Sequence, residues 1–330
     1  MHIRFFIFFY CVCLGSFSYA IDNNAHDSYK SLDNFIIIGY THNRPPGFFH
    51  THYKAQEKIN DRPPDSTYEN NQWHLIQRDG LYLAQVDKAV SEIYRYYVGY
   101  STDSDIVQDG QDYYLARRDF KNFKHWNDAV TTSDNKIYIN GYLLHSDGSL
   151  TKDGITKKFT GLGSFAVLSG FVSDSDATSD NWGIQETDSE IKFILYDNEH
   201  AFSENLFYMF TDNSFNAMEY WLANYPQIIS MPWYKQECDA IIKKIADKDF
   251  SAVESIIKRN ISSTLLEEYR YSLLNHLELD DNRYQEMIKK VSQVNLQEEQ
   301  QEYGAEQIIK VLSQKRTQLL AKPRQGYVSV

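Results

Sequence analysis

Cysteine, positive charge and long apolar runs are all scarce in this sequence. It contains 3 cysteines, and Cys11 and Cys13 lie in the first 20 residues. Removal of that segment would leave Cys238 alone, which excludes a small domain held together by disulfides. Lys and Arg number 33 against 45 Asp and Glu, a net charge of −12. This balance argues against a nucleic-acid partner, because the phosphate backbone attracts basic surfaces.

Glycine and proline are also few, at 15 and 7 of 330 residues, whereas aromatic residues make up 15%. With a hydrophobic fraction of 42%, the chain can bury a sizeable core and is not an extended linker. A length of 330 residues corresponds to two domains of ~150 residues each or to a single two-lobed fold.

The one strongly apolar run lies at the N-terminus, within residues 1–20. Arg4 precedes the run Phe5–Leu14, and Ser18 and Ala20 occupy the −3 and −1 positions of a candidate cleavage site. This order is typical of a secretory signal peptide, and the run is shorter than the ~20 residues of a spanning helix. We therefore expect a secreted or periplasmic chain without an integral membrane span, with delivery to a host cell left open. An uncleaved anchor or a buried N-terminal helix is the alternative.

The rest of the chain divides into three parts by composition and pattern. Residues 21–65 are polar and rich in turn signals, and we interpret them as an N-terminal extension. Residues 66–125 predict a small lobe of strands with one helix. Residues 126–330 predict a larger, mainly helical lobe. The predicted fold class is therefore α+β with two lobes.

Three segments define the predicted small lobe. Leu81–Ala84 follows an Asp-Gly turn and predicts a strand. In Asp87–Tyr100 the apolar residues recur three and four apart, which predicts a helix. Asp105–Val107 and Tyr113–Ala116 flank a Gln-Asp-Gly turn and predict a hairpin.

The large lobe begins with strands and continues with helices. Lys136–Ile139 and Tyr142–Leu144 predict a second hairpin, and Phe159–Val172 predicts an apolar helix. Ile191–Tyr196 alternates as a strand does and is followed by Asp197. From residue 215 to about 320 the apolar spacing is mostly helical.

The chemistry that the sequence indicates is concentrated in an acidic segment and the strand that follows it. Asp176 and Asn181 have the spacing D-x4-N, and Asp197 stands at the exit of the next strand. Phosphoryl transfer from ATP needs a carboxylate that accepts the proton of the attacking hydroxyl. It also needs a second carboxylate and an amide oxygen that hold Mg²⁺ on the phosphates. The three residues supply this set.

The pattern D-x4-N-W-G followed by D-N-x-x-A-F resembles the catalytic and metal-binding segments of the atypical kinase-like fold. The nearest shapes are those of type II phosphatidylinositol 4-kinases and of bacterial effector and HipA-type kinases. The resemblance implies a two-lobed kinase-like fold that uses ATP and Mg²⁺. It implies that Asp176 is the catalytic aspartate and that Asn181 and Asp197 are metal ligands.

The same resemblance, extended to the small lobe, implies a nucleotide-binding group. Leu81–Ala84 would match the third strand, and Glu92 would match the helix glutamate that pairs with a nucleotide-binding lysine. Gln85 stands where that lysine is expected, and Lys88 follows three residues later. Because glutamine carries no charge, either Lys88 or another basic residue takes the role, or the protein is a pseudokinase.

The acidic segment has two other interpretations, a calcium loop and a plain acidic surface loop. The carboxylates between Asp174 and Asp180 resemble a calcium loop, although Ser179 and Gln185 replace the expected Gly and Glu. In the second interpretation, the segment is an acidic surface loop without a bound ion. We favour an exported ATP- and Mg²⁺-dependent phosphotransferase acting on a protein hydroxyl or a phosphoinositide. A slight preference goes to protein, because a lipid surface would favour clustered Lys and Arg. The alternatives are a catalytically inactive kinase-like binding protein and a secreted calcium-binding protein.

Overall fold

The computed structural model describes residues 29–40, 52–58, 67–78, 81–110, 112–174, 176–198, 201–202, 217–262 and 304–321. The predicted signal peptide lies outside the described residues. Within the described ranges the chain forms two β-sheets and a set of helices.

The first sheet has six strands in the order β1-β5-β6-β4-β3-β2. Neighbouring strands are antiparallel except β1 and β5, which are parallel. The predicted hairpin around the Gln-Asp-Gly turn is confirmed as β5 and β6. The strands are β1 (Lys30–Ser31), β2 (Phe35–Tyr40), β3 (His52–Glu57), β4 (Tyr68–Arg78), β5 (Ser104–Asp109) and β6 (Asp112–Phe120).

The first sheet begins N-terminal to residue 66, within the segment interpreted as an extension. Phe35 of β2 and Ala55 of β3 are buried against Trp73, Leu75 and Tyr114 of the central strands. The strands of the extension therefore contribute apolar side chains to the core of the small sheet. The polar residues between these strands favour an extension, so the sequence pattern did not predict that the strands join the first sheet.

The first helix, α1, runs from Leu81 to Val98, so the predicted strand at Leu81–Ala84 is wrong. Leu81 and Ala84 pack on the first sheet, whereas Tyr82 and Leu83 join the core of the rest of the molecule. Burial of the helix on two faces makes the apolar run continuous, and a short continuous run does not distinguish a strand from a helix. The predicted helix beyond Asp87 is confirmed.

The second sheet has eight strands in the order β7-β13-β14-β12-β11-β10-β9-β8. Only β12 and β14 are paired in parallel within this sheet as described. The second predicted hairpin is confirmed as β9 and β10. The strands are β7 (Phe123–His125), β8 (Val130–Ser133), β9 (Lys136–Ile139), β10 (Tyr142–Leu144), β11 (Ser149–Lys152), β12 (Ile155–Thr160), β13 (Trp182–Glu186) and β14 (Glu190–Leu195).

Seven further helices are described, and the longer ones share one apolar core with the second sheet and α1. The fully buried ring of Trp182 packs edge-on against Trp126 and Phe193, and Phe165 packs on Phe193 at a tilt of 57°. The helices are α2 (Trp126–Ala129), α3 (Leu162–Val172), α4 (Ala217–Leu222), α5 (Pro226–Ile229), α6 (Pro232–Asp247), α7 (Phe250–Asn260) and α8 (Ala305–Ala321).

Helix α3 begins later than the apolar pattern predicts. Phe159 belongs to β12, and Gly161 turns the chain with a φ of 97° before α3 starts at Leu162. A Cβ at Gly161 would collide with the Tyr100 hydroxyl. Both the left-handed backbone and the close contact therefore require glycine at this junction.

The predicted α+β class is confirmed, and the mixed content, two sheets and several helices are consistent with a two-lobed kinase-like fold. None of the helices in the described ranges has the length and apolarity needed to span a membrane.

Candidate active site

The acidic segment starts where helix α3 ends. Ser173 adopts the left-handed conformation with φ 56° and ψ 47°. Its N–H donates to the Gly170 carbonyl at 3.3 Å, and the Asp174 N–H donates to the Ser169 carbonyl at 2.9 Å. These bonds satisfy the last carbonyls of the helix. They direct the chain away from the helix axis toward the β13–β14 hairpin.

The D-x4-N pair is closed by direct contacts. Asp174 Oδ1 accepts the N–H of Asp176 at 3.1 Å. Asn181 Nδ2 donates to the Asp176 carbonyl at 2.8 Å and to Asp176 Oδ2 at 3.1 Å. The amide therefore holds the carboxylate in one orientation, as a positioned general base requires.

The β13–β14 hairpin brings Asp197 to the same place. The N–H of Tyr196 donates to the Asn181 carbonyl at 3.0 Å, immediately beyond the paired strands. Asp197 is the next residue, with a φ of 78°. Asp197 thus follows directly on the residue that bonds Asn181, while Asn181 itself holds Asp176.

Four side chains from the first sheet, from α1 and from the segment after β14 form what we term the buried charge cluster: Arg78, Asp87, Arg117 and Asp197. Asp197 Oδ1 accepts from Arg78 Nη2 at 2.7 Å and from Arg117 Nη2 at 3.0 Å. Asp87 Oδ2 accepts from the same two atoms at 3.3 and 2.5 Å. The side chains of Arg78 and Asp87 are 0% exposed, and that of Asp197 is 23% exposed.

The two arginines determine the ionisation of Asp197. Burial alone would raise the pKa of Asp197, but the charges and hydrogen bonds of Arg78 and Arg117 lower it well below its usual range. Burial would lower the pKa of Arg117, and the carboxylates of Asp87 and Asp197 raise it instead. Both shifts favour the charged form, of Asp197 and of Arg117 respectively.

Asp174 behaves in the opposite way. It is 1% exposed, and burial together with the carboxylate of Asp176 raises the pKa of Asp174 well above its usual value. Asp197 and Asp87 add smaller contributions in the same direction. Asp174 therefore interacts electrostatically with carboxylates of both the acidic segment and the buried charge cluster.

Polar atoms without partners lie beside these residues. The N–H of Asn198 donates to Asp87 Oδ2 at 3.0 Å. Within the described part of the chain, neither side-chain atom of Asn198 has a hydrogen-bond partner, and neither does Asp174 Oδ2. Buried polar groups are normally paired, so these atoms provide hydrogen-bonding capacity for a polar ligand.

The residues predicted to bind the nucleotide have other contacts. Gln85 lies on a helix, not a strand, and its Nε2 donates to Tyr29 Oη and Ser262 Oγ, both at 2.9 Å. The assignment of Gln85 to a lysine position on a strand is therefore wrong. The helix turns its side chain toward Tyr29 and Ser262, which lie far from it in sequence.

Lys88 and Glu92 form an i, i+4 pair at 3.5 Å on α1. Lys88 Nζ also donates to the Ser104 carbonyl of β5 at 3.0 Å. Glu92 Oε2 accepts from Arg259 Nη2 at 2.5 Å and from Asn260 Nδ2 at 2.9 Å, both on α7. These contacts attach α1 to β5 and α7.

Sequence reasoning missed Arg78 and Asp87, and for Arg117 it left open a phosphate contact and a solvated strand end. A signal for Asp87 was present: it lies three and seven residues before Val90 and Tyr94, on the buried face of the helix. An acidic residue on an apolar face needs a buried partner. No comparable signal identifies which arginine supplies that partner.

Within the part of the chain that the structure describes, no group of three or more His, Cys, Asp or Glu side chains could hold a metal ion.

No protein-family model and no curated protein matches the sequence. Among solved structures, the chain is similar to the Helicobacter pylori proinflammatory kinase CtkA, at 11% identity and a TM-score of 0.39. The alignment covers 90% of this chain and 100% of that one. It is also similar to a chain of the Shewanella oneidensis MR-1 toxin–antitoxin HipA, HipB and operator DNA complex. There the identity is 11%, the TM-score 0.28, and the coverage 81% of this chain and 60% of that chain. At these TM-scores the similarities carry no argument about function, which depends on the site geometry.

Proposed function

We propose that this chain is an ATP- and Mg²⁺-dependent phosphotransferase of the kinase-like type. The observation that carries the proposal is the convergence of Asp176, Asn181 and Asp197, with Asp197 in contact with Arg78 and Arg117. The carboxylate proposed for the metal thus lies beside guanidinium groups suited to phosphates.

Asp176 is the proposed general base. Its Oδ2 is held by Asn181 Nδ2 at 3.1 Å, and its N–H is held by Asp174. A carboxylate fixed in this way can orient the substrate hydroxyl and accept its proton at an Asp176 oxygen as the phosphoryl group is transferred. Asp174 is a positioning residue in this scheme, since it contacts the Asp176 backbone.

The residues present fit a magnesium–nucleotide complex. Asp197 and the Asn181 amide oxygen are hard oxygen donors of the kind that Mg²⁺ prefers. When bound, the complex supplies the transferable phosphoryl group and neutralises its charge. Arg78 and Arg117 would contact the phosphates, and the unpartnered side chain of Asn198 and Asp174 Oδ2 offer further hydrogen bonds.

Arg78 and Asp87 take the place that the sequence assigned to Gln85 and Glu92. A basic residue at the end of a strand of the first sheet pairs with an acidic residue on α1, at 3.3 Å between Arg78 Nη2 and Asp87 Oδ2. Both side chains are 0% exposed. We therefore assign phosphate anchoring to Arg78 and the matching helix carboxylate to Asp87.

Measurement of Mg·ATP binding by calorimetry and of γ-phosphoryl transfer to a protein mixture tests the proposal. Asp176→Asn should leave affinity unchanged and lower transfer by a factor on the order of 100 or more. Asn181→Ala and Asp197→Ala should each weaken binding. Equal transfer by the wild type and Asp176→Asn would refute the role of Asp176.

A second candidate, a catalytically inactive nucleotide-binding protein, is favoured by one observation. Both arginines donate to the same atom, Asp197 Oδ1, at 2.7 and 3.0 Å. A metal at that oxygen would have to displace at least one of them. Wild-type protein that binds Mg·ATP but transfers no phosphate to protein or to phosphatidylinositol vesicles would select this candidate. Comparison of phosphate transfer to protein with transfer to phosphatidylinositol vesicles also distinguishes a protein substrate from a lipid substrate.

Export is a separate proposal based on residues 1–20. Cleavage after Ala20 gives a mature chain that starts at Ile21 and retains Tyr29, which bonds to Gln85. N-terminal sequencing of protein recovered outside the producing cytoplasm should show Ile21 first. An exported chain that still begins at Met1 would contradict the proposal.

A further inference from the structure

The C-terminal helix α8 (Ala305–Ala321) packs on helices α3, α6 and α7. Its apolar face is anchored by Ile308 and Leu312, each 1% exposed. A helix more than 120 positions beyond Asp176 in sequence thus lies against the helix from which the acidic segment emerges.

Lys315 connects α8 to the start of the acidic segment. Its Nζ donates to the Gly170 carbonyl at 2.8 Å and to Ser173 Oγ. The first acceptor lies in the last turn of α3, and the second belongs to the residue that caps this helix. A cation at this position is favourable, because the C-terminus of a helix carries partial negative charge and unpaired carbonyls.

The contact lies one residue from Asp174, whose Oδ1 accepts the Asp176 N–H. We infer that Lys315 is a positioning residue for Asp176, acting through Ser173 and Asp174, so that α8 braces the acidic segment. The role in transfer rests on the proposed function, but the effect on the geometry of the segment does not.

Arg316 offers a matched control on the same helix. Its guanidinium donates to the carbonyls of Ile245, Ala246 and Lys248 at 3.0, 2.7 and 3.1 Å. These groups end helix α6, away from the acidic segment. Loss of Arg316 removes an equivalent capping contact of α8 without touching Ser173.

The test compares Lys315→Met, Lys315→Arg and Arg316→Met in the full chain. Hydrogen exchange at the amides of Asp174 and Asp176 should accelerate about tenfold in Lys315→Met, because a charge-assisted bond is lost. Exchange there should stay at the wild-type rate in Arg316→Met and return toward it in Lys315→Arg. Transfer assays should show kcat reduced roughly tenfold in Lys315→Met with KM for Mg·ATP unchanged, because a small misplacement of a base lowers the rate.

Unchanged exchange at these amides in Lys315→Met would overturn the inference, whatever the activity. Equal acceleration in Arg316→Met would also overturn it, since general loosening of α8 would then explain the effect. Where Lys315→Met does not fold, Ser173→Ala removes the other partner and is read by the same exchange measurement. If wild-type protein neither binds nor transfers phosphate, the proposed function fails, while the exchange data still decide whether Lys315 orders the segment.

Discussion

Arg78 Nη2 donates to Asp197 Oδ1 at 2.7 Å, which joins the last residue of β4 in the first sheet to the segment that follows β14 of the second. The residues are 119 positions apart. Because Asp87 of α1 accepts from the same guanidinium atom, the pair also fixes the position of that helix. The candidate active site therefore exists only when both sheets and α1 are packed together.

Arg117 and Arg118 are adjacent on β6 but should differ in importance. Arg117→Met leaves Asp87 and Asp197 with one fewer partner, and we expect a loss of about 3–5 kcal/mol in the free energy of unfolding. Arg118→Met removes a 3.3 Å contact to Asp103 and a stacking contact to Tyr68, and should cost less. Denaturant unfolding measures both, and calorimetry should show Mg·ATP binding lost only in Arg117→Met. Equal effects of the two substitutions would exclude a special role for Arg117.

Asp87 and Glu92 are competing candidates for the helix carboxylate of the nucleotide site. Asp87 contacts both arginines, whereas Glu92 contacts Lys88 and residues of α7. Asp87→Asn should therefore weaken Mg·ATP binding by about tenfold or more, the usual effect of unpairing a buried charge. Glu92→Gln should leave the affinity near the wild-type value. The reverse order in a titration would restore Glu92 and remove Asp87 from the site.

Gln85→Lys tests whether Gln85 occupies the position of a nucleotide-binding lysine, as the sequence resemblance implies. The side chain of Gln85 is bonded to Tyr29 and Ser262, and the residue is 1% exposed. A lysine there would bury an ammonium group without a carboxylate partner, so we expect a loss of about 1–3 kcal/mol of stability and no gain in ATP affinity. Lys88→Met, at a partly exposed ion pair, should cost about 1 kcal/mol or less. Tighter ATP binding by a stable Gln85→Lys protein would show that Gln85 does occupy the lysine position of the nucleotide site.

Asp174 should make stability depend on pH. Its raised pKa means that, above the usual aspartate value of about 3.9, the folded protein keeps a proton that the unfolded chain releases. The stability contributed by protonated Asp174 is complete below that pH and is lost as the pH rises toward the raised pKa. The slope is at most about 1.4 kcal/mol per pH unit. Asp174→Asn stays neutral, so its stability relative to wild type should increase as the pH rises.

Thermal unfolding between pH 4 and pH 8 measures this difference, with Asp180→Asn as an exposed control on the same segment. A stability difference between Asp174→Asn and wild type that is constant across the series would mean that Asp174 is ionised in the folded protein. Asp197 should give stability the opposite dependence on pH. Its lowered pKa stabilises the folded protein above the usual aspartate range, and this stabilisation is lost as the pH falls below that range toward the lowered pKa.

Features that depend on neighbouring residues could be predicted from the sequence. The β5–β6 and β9–β10 hairpins follow from turn residues between short apolar runs. The contact between Asp176 and Asn181 spans five residues, and the strand before Asp197 follows from alternation. These short-range relations sufficed to predict an α+β chain, and the shared site of Asp176, Asn181 and Asp197 stays a prediction.

Tertiary packing decided the rest. Leu81–Ala84 is helical because α1 is buried on two faces, and this makes its apolar run continuous in the sequence. The partners in the buried charge cluster are separated by 9 to 119 positions, and nothing local distinguishes Arg117 from Arg118 or Asp87 from Glu92. A buried charge is tolerated only beside its partner, and the docking of the two sheets determines which charges meet. The sequence by itself therefore determined which polar groups could carry the chemistry, whereas the tertiary structure decided which arginines and which helix carboxylate stand beside them.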